Sequence, residues 1–327
     1  MTWAGRRVLV TGAGGFIGSH LVERLVTEGA RVRAFIRYNA LGRRGWLEES
    51  GVGGDVETVL GDVADPDSVQ AAIADCEVVF HLAALIGIPY SYVAPAQYVR
   101  TNIQGTLNVL QAARRVDVKR VIQTSTSEVY GSAQYTPMDE RHPLTAQSPY
   151  AATKTGADQL AIAFFHTYGT PITVVRPFNA YGPRQSTRAV VPTIITQALG
   201  DSRIRLGNLE TTRDLTFVLD TVHGFLRAAD TADAVGRTIN VGSGHEIRIR
   251  DLTDVICRII GKKCELEVTS ERLRPQGSEV DRLLADSTLA TSLLGWKPQY
   301  TLEEGLQRTI EWFRSRLAPT GIGRYAI

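Results

Sequence analysis

Arg7-Val8-Leu9-Val10-Thr11-Gly12-Ala13-Gly14-Gly15-Phe16-Ile17-Gly18 decides the fold. Its first five residues form a short apolar run, the composition of a buried strand. Glycines then recur at the spacing Gly-x-x-Gly-x-x-Gly, and an amphipathic helical pattern over 16–28 begins at once, closed by Gly29. Glycines let a backbone turn sharply and approach a pyrophosphate, whose charge then rests on the helix N-terminus. Strand-to-helix turns also contain glycine for steric reasons alone, but here both flanks are right for a dinucleotide site. Gly12, Gly15, Phe16, Ile17 and Gly18 are therefore expected to hold a cofactor.

Outward from this turn, apolar strand patterns at 31–36, 58–60, 77–80, 120–123 and 173–176 alternate with helical patterns, notably 101–116 and 150–168. Strand and helix alternating at this spacing predict an α/β fold, a doubly wound parallel sheet with helices on both faces. After Pro177 the order breaks into loops and shorter helices, and 238–241 reads as a strand returning to the sheet. The expected division is a dinucleotide-binding part, 1–176 with 217–242, and a smaller substrate part, 177–216 with 243–327. The stretch 78–99 has no Asp, Glu, Lys or Arg, yet carries His81, Pro89, Pro95 and three tyrosines. It reads as a buried strand entering a substrate-side loop rather than as a membrane span.

The end of the second strand chooses between nicotinamide cofactors. An acid there would bind a ribose 2′-hydroxyl, and an arginine would favour a 2′-phosphate. Phe35-Ile36-Arg37-Tyr38 offers no carboxylate, so NAD or NADP is expected with a lean to NADP, although Arg37 also suits a plain exposed strand end. Tyr150-Ala151-Ala152-Thr153-Lys154 supplies chemistry, because positions i and i+4 share a helix face and a nearby ammonium favours a phenolate. Such a pair is often only an exposed helix contact, but no other tyrosine of this chain has a lysine four residues on.

Together the glycine spacing and the Tyr-x-x-x-Lys pair resemble the extended short-chain dehydrogenase/reductases, the nucleotide-sugar epimerase/dehydratase family, with a Rossmann-like domain and a smaller C-terminal one. In that resemblance Asp62 and Val63, after the third strand, stand where relatives hold the adenine; a helix-capping carboxylate is the plainer reading of Asp62. Thr124-Ser125-Thr126-Ser127-Glu128-Val129-Tyr130-Gly131 resembles the family's catalytic segment. It implies that Thr126 hydrogen-bonds the sugar C4 hydroxyl and that Glu128 is the C5 base of a 4,6-dehydratase. Ser127 departs from the Asp of dTDP-glucose 4,6-dehydratases and is similar to the GDP-mannose enzymes. Arg176-Pro177-Phe178-Asn179-Ala180-Tyr181-Gly182-Pro183 resembles the segment leading to the diphosphate, which implies a substrate contact at Asn179. Arg213 and Arg274 match phosphate-clamping arginines, a role their forked donors suit. Leu294-Gly295-Trp296-Lys297-Pro298 is similar to a structural C-terminal feature, and 82–92 with the Ser-Glu pair looks like the dehydratases of the legionaminic acid pathway.

The implied reaction is NAD(P)-dependent 4,6-dehydration of a nucleotide-linked N-acetylglucosamine: Tyr150 takes the C4 hydroxyl proton with Thr126 and Lys154, Glu128 takes the C5 proton, and water leaves C6 with Glu128 or Ser127 as relay. The rivals are a UDP-glucuronate decarboxylase, a 4-epimerase and, from another class, a non-catalytic NAD(P)-binding regulator; the retained Tyr/Lys pair argues against the last. The resemblance also implies a homodimer through the helices at 101–116 and 150–168. Lys+Arg 36 against Asp+Glu 34 gives no basic surface for nucleic acid. The six histidines have no ligand-like spacing, no Gly-x-Ser-x-Gly elbow is present, and three scattered cysteines fit a reducing cytoplasm, so no metal, no membrane and a cytoplasmic location are expected.

Overall fold

The computed structural model describes residues 2–316. β1 (Arg7–Thr11) runs through the glycine turn into α1 (Phe16–Thr27), and β2 (Arg31–Arg37), β3 (Glu57–Gly61), α2 (Pro66–Ile73) and β4 (Val78–His81) follow. Next come α3 (Ile88–Val93), α4 (Pro95–Tyr98), a π-helical turn at Val99–Gln104, α5 (Gly105–Arg115), β5 (Arg120–Thr124), α6 (Pro149–Tyr168) and β6 (Ile172–Pro177). The remainder comprises β7 (Asn179–Tyr181), α7 (Val190–Gly200), β8 (Arg203–Leu206), β9 (Thr212–Phe217), α8 (Val218–Asp230), β10 (Thr238–Val241), β11 (Glu246–Arg248), α9 (Ile249–Ile260), β12 (Glu265–Val268), α10 (Thr288–Leu294) and α11 (Leu302–Arg314).

Seven strands form one parallel sheet in the order β10-β6-β5-β4-β1-β2-β3. Its strands read as continuous apolar runs because both faces are covered. Val8, Val10, Phe80 and Ile122 point into the core under α1 and α8, while the intervening Leu9, Val79 and Val121 enter the core under α2, α5 and α6. Strand order reverses between β1 and β4, and that switch point opens a crevice at the carboxyl ends of the strands, where an α/β sheet binds its ligand. The expected doubly wound parallel sheet is the one observed.

A third core joins α7, α9 and α11 over β8 and β9, with Ile194, Phe217, Leu252 and Leu306 at its centre. It stands on the far side of the crevice. Of the stretch expected in this smaller part at 243–327, 317–327 lie outside the described residues; within the rest, α10 and Trp296 pack in the large core, and the Trp296 indole donates to the Asp220 carbonyl at 3.0 Å. The charge-free stretch also differs from expectation. After β4 it forms α3 and α4 rather than a loop, each with proline in its first turn, where the missing N–H costs nothing. The helix expected from 101 begins instead as a π turn, which swings Asn102 inward. Its amide bonds the Leu85 N–H (2.8 Å) and carbonyl (3.0 Å) and the Thr153 hydroxyl (3.0 Å). π turns are commonly found at functional sites. This one ties α6 to the crevice wall.

Candidate active site

One cavity of about 1250 Å³ occupies the crevice, and both sequence-derived residue groups line it. At one end lie Gly12, Gly15, Phe16, Ile17 and Gly18. Gly12 has φ +70°, and a Cβ there would stand 2.9 Å from the Ala83 N. The start of α1 has no side-chain cap and no acidic residue in its first turn, so its free N–H groups and positive dipole end are left for an anion. The cradle is thus of the right kind for a pyrophosphate. Arg37, Asn39 and Arg43 line the same end, past the tip of β2.

Asp62 and Val63 are not brought to this wall. The Asp62 carboxylate accepts the Ala64 N–H at 2.9 Å, and Val63 is buried beneath Gly105 of α5. A capping acid does exist in this stretch, but it is Asp65, whose carboxylate accepts the Ser68 N–H of α2 at 3.1 Å.

A roof unforeseen in the sequence crosses the glycine turn. The Trp46 N–H donates to the Gly14 carbonyl at 3.0 Å, and a Cβ on Gly14 would meet the Arg44 carbonyl oxygen at 2.6 Å. The Trp46 ring stacks edge-on against Trp312 of α11, centroids 5.3 Å apart, and Glu49 pairs with Arg316 at 2.9 Å. Paired glycines at 42 and 45 were its only sequence signal.

The other end holds the Tyr150/Lys154 pair and the 124–128 segment. Thr126, extended at φ −160°, follows β5, and Thr124, Ser125, Thr126, Ser127 and Glu128 all line the cavity. Ser148 caps α6 by accepting the Ala151 N–H, which sets Tyr150 in the first turn facing the cavity. The Thr126 hydroxyl lies beside the Tyr150 phenol and favours its ionised form. One turn on, the Lys154 ammonium donates to the Thr124 carbonyl at 2.6 Å. Burial pulls Lys154 down to about 8, opposed by the charge of Asp158. Burial raises Tyr150 above the ordinary phenol value; the Thr126 hydroxyl opposes this, and the Glu128 charge adds to it. The expected lowering of the phenol by its lysine is therefore not what the structure shows. The ammonium is committed to a backbone carbonyl, and desolvation dominates.

Glu128 is buried in the wall with one carboxylate oxygen 4.0 Å from the Arg274 guanidinium. Arg274 also lies 3.9 Å from Glu279, and its Nη1 has no hydrogen-bond partner. Arg213 is buried, donates to the Thr212 carbonyl at 2.8 Å and to Glu279 at 3.4 Å, and has its pKa lowered by desolvation. The Asn179 side-chain oxygen, also on the cavity, is buried without a partner. Two arginines and an unsatisfied amide facing one space offer donors for an anion and an acceptor for a hydroxyl. Among the described residues no group of His, Cys, Asp or Glu could hold a metal ion, and no helix is long and apolar enough to cross a membrane.

The GDP-mannose 4,6 dehydratase family model matches residues 9–309. A UDP-glucose 4-epimerase of Mycolicibacterium smegmatis is 36% identical over 95% of this chain and 99% of its own. A UDP-N-acetyl-alpha-D-glucosaminuronate decarboxylase of Bacillus cytotoxicus is 34% identical over 94% of this chain and 98% of its own. Among solved structures, DesIV of Streptomyces venezuelae, a dTDP-glucose 4,6-dehydratase with NAD and TYD bound, superposes with a TM-score of 0.87 at 30% identity, covering 95% of this chain and 97% of that one.

Proposed function

The chain belongs to the extended short-chain dehydrogenase/reductase family of NAD(P)-dependent nucleotide-sugar epimerases, dehydratases and decarboxylases, and from that premise we propose that it is a 4,6-dehydratase acting on a nucleotide-linked N-acetylglucosamine. The observation that carries this reading is Glu128. Inverting C4 requires proton transfer only at the C4 oxygen, which Tyr150 with Thr126 serves. Glu128 adds a carboxylate buried in the same wall, a group able to take the carbon proton whose loss dehydration needs and C4 inversion does not. In the proposed reaction Tyr150 must first ionise against its burial, helped by the positive charge of Lys154 behind it, and the phenolate then accepts the C4 hydroxyl proton. Glu128 then removes the C5 proton, made acidic by the 4-ketone, and Glu128 or Ser127 protonates the leaving C6 hydroxyl. A bound nicotinamide would supply the hydride acceptor at C4 and the hydride donor at C6, with a proton returning to C5 from solvent as Tyr150 gives up the one it took, so no net oxidation results. Asn179, Arg213 and Arg274 would bind the sugar diphosphate.

Arg37 and Arg43, on the cavity beyond β2, favour NADP through its 2′-phosphate. The enzyme would act in the cytoplasm as a homodimer through α5 and α6. Val93, Val99 and Tyr168, which stand exposed beside those helices, fit a covered face, and light scattering showing a monomer would remove that part.

One observation favours a second reading. The unpaired Arg274 donor beside Glu128 could equally receive a C6 carboxylate, as a UDP-glucuronate decarboxylase requires. Mass spectrometry decides between them: the protein is given UDP-, GDP- and dTDP-linked hexoses, N-acetylhexosamines and UDP-glucuronate with catalytic NAD or NADP. Loss of one water from an N-acetylglucosamine nucleotide is expected; loss of carbon dioxide from UDP-glucuronate would replace the dehydratase reading.

A further inference from the structure

A buried charge lies behind the reactive pair, and the chemistry proposed above does not use it. Asp158 falls one helical turn beyond Lys154 on α6 and is fully buried. One carboxylate oxygen accepts the Ser125 hydroxyl at 2.6 Å and the Arg176 guanidinium at 3.2 and 3.1 Å. Its other oxygen is buried with no hydrogen-bond partner. Arg176, itself buried, continues to the Tyr130 hydroxyl at 3.0 Å, which donates to Asn240 at 2.7 Å. An ion pair sealed in this way is a poor device for stability alone, because desolvating both charges offsets most of their attraction. What it does here is geometric: Ser125 sits between Thr124, whose carbonyl holds Lys154, and Thr126, whose hydroxyl lies beside Tyr150.

We propose that Asp158 is a positioning residue of the active site. Its carboxylate fixes the Thr124–Thr126 backbone through Ser125 and provides the negative charge that keeps the buried Lys154 protonated. This rests on the reading of Tyr150 and Lys154 as the reactive pair. The titratable groups around Lys154 come from every packed element: Tyr150 and Asp158 on α6, Glu128 after β5, His81 on β4, and Arg176 on β6 with Tyr130. His81, held between the Thr11 and Thr106 hydroxyls, is pushed by burial to about 3 and stays neutral. Arg176 pairs with the same Asp158, and Asp158 is the anion whose charge opposes the lowering of Lys154. Removing the Asp158 charge lowers the pH at which Lys154 loses its proton.

The test reads the lysine directly, with no turnover. The chain has five lysines, so lysine-selective isotope labelling gives a sparse NMR spectrum, and Lys154→Met assigns the resonance of interest. In the wild-type protein Lys154 should titrate near 8. In Asp158→Asn, which keeps the shape and can still accept from Ser125 and Arg176, the midpoint should fall by roughly one pH unit or more, and Asp158→Glu should restore it. The basic limb of the activity profile should move the same way, whereas a purely structural role would depress activity at all pH values without moving it. An unchanged midpoint in folded Asp158→Asn refutes the proposal. Should that variant not fold, the wild type alone suffices: a midpoint below about 6, the range of buried lysines without a counter-charge, overturns it. Failure to find dehydratase activity would leave the titration result standing, so the two readings fail separately.

Discussion

Replacing Glu128 by Gln tests the assignment of the carbon base most sharply. Glutamine has nearly the same shape, so the buried wall is kept. Its amide cannot take a proton, and Arg274 retains Glu279 at 3.9 Å as a partner. The lost interaction with Arg274 is a 4.0 Å contact without a hydrogen bond, so stability should move little. A positioned general base contributes roughly 10²–10⁴-fold, about 3–5 kcal/mol of barrier, and dehydration should slow by that factor. C4 oxidation needs only Tyr150, Thr126 and Lys154 and should persist. The assay combines product mass spectrometry in D₂O with absorbance of reduced nicotinamide. The variant should accumulate reduced cofactor on mixing with substrate, incorporate no deuterium at C5 and release almost no product. Full turnover, or deuterium at C5 at the wild-type rate, would show that another group removes that proton.

Three further outcomes follow from the geometry. Lys154 is charged below about 8 and neutral above it, so activity should fall as pH rises through that value. Stability should run the other way: between about 8 and the ordinary lysine value of 10.5 the unfolded chain binds the proton that the folded chain has lost, so this residue's contribution grows with pH, and paired pH–rate and pH–melting curves would show the divergence. Gly14→Ala places a methyl carbon 2.6 Å from the Arg44 carbonyl and should weaken cofactor binding at least tenfold by fluorescence titration; unaltered affinity would mean that the roof yields freely. Arg37→Asp should exchange the 2′-phosphate partner for a hydroxyl acceptor and shift the NADP-to-NAD affinity ratio toward NAD by roughly tenfold or more, a ratio that would stay fixed if Arg37 were only an exposed strand end.

The sheet was legible because parallel strands buried on both faces must be apolar throughout, and helices between them must show a 3.6-residue rhythm. Both signals survive in a single sequence. That Thr126, Glu128, Tyr150 and Lys154 line one cavity was equally legible, since local spacing fixes them on one strand end and one helix. Where tertiary contacts decide, the sequence was silent. Pro89 and Pro95 looked like loop residues but open α3 and α4, because a first-turn proline and a loop proline are indistinguishable until the rest of the helix is seen. The π turn exists to satisfy Asn102 against Leu85 and Thr153, neither of them a sequence neighbour. Asp62 and Val63 carried the expected residue types, but the Asp62 carboxylate is taken by the Ala64 N–H and Val63 packs on Gly105, and neither lines the cavity. Asp158 stood at a readable i+4 spacing from Lys154, yet only its burial with Arg176 gives that spacing meaning.

The roof over the glycine turn has a consequence for the life of the chain on the ribosome. Its tryptophan leans on Trp312 and its acid on Arg316, so a feature begun near the amino terminus is completed only by the last described helix. Domains otherwise tend to fold in the order of their synthesis, and closing such a distant contact is slow. The cradle beneath that roof is thus left uncovered until α11 has been made and has docked.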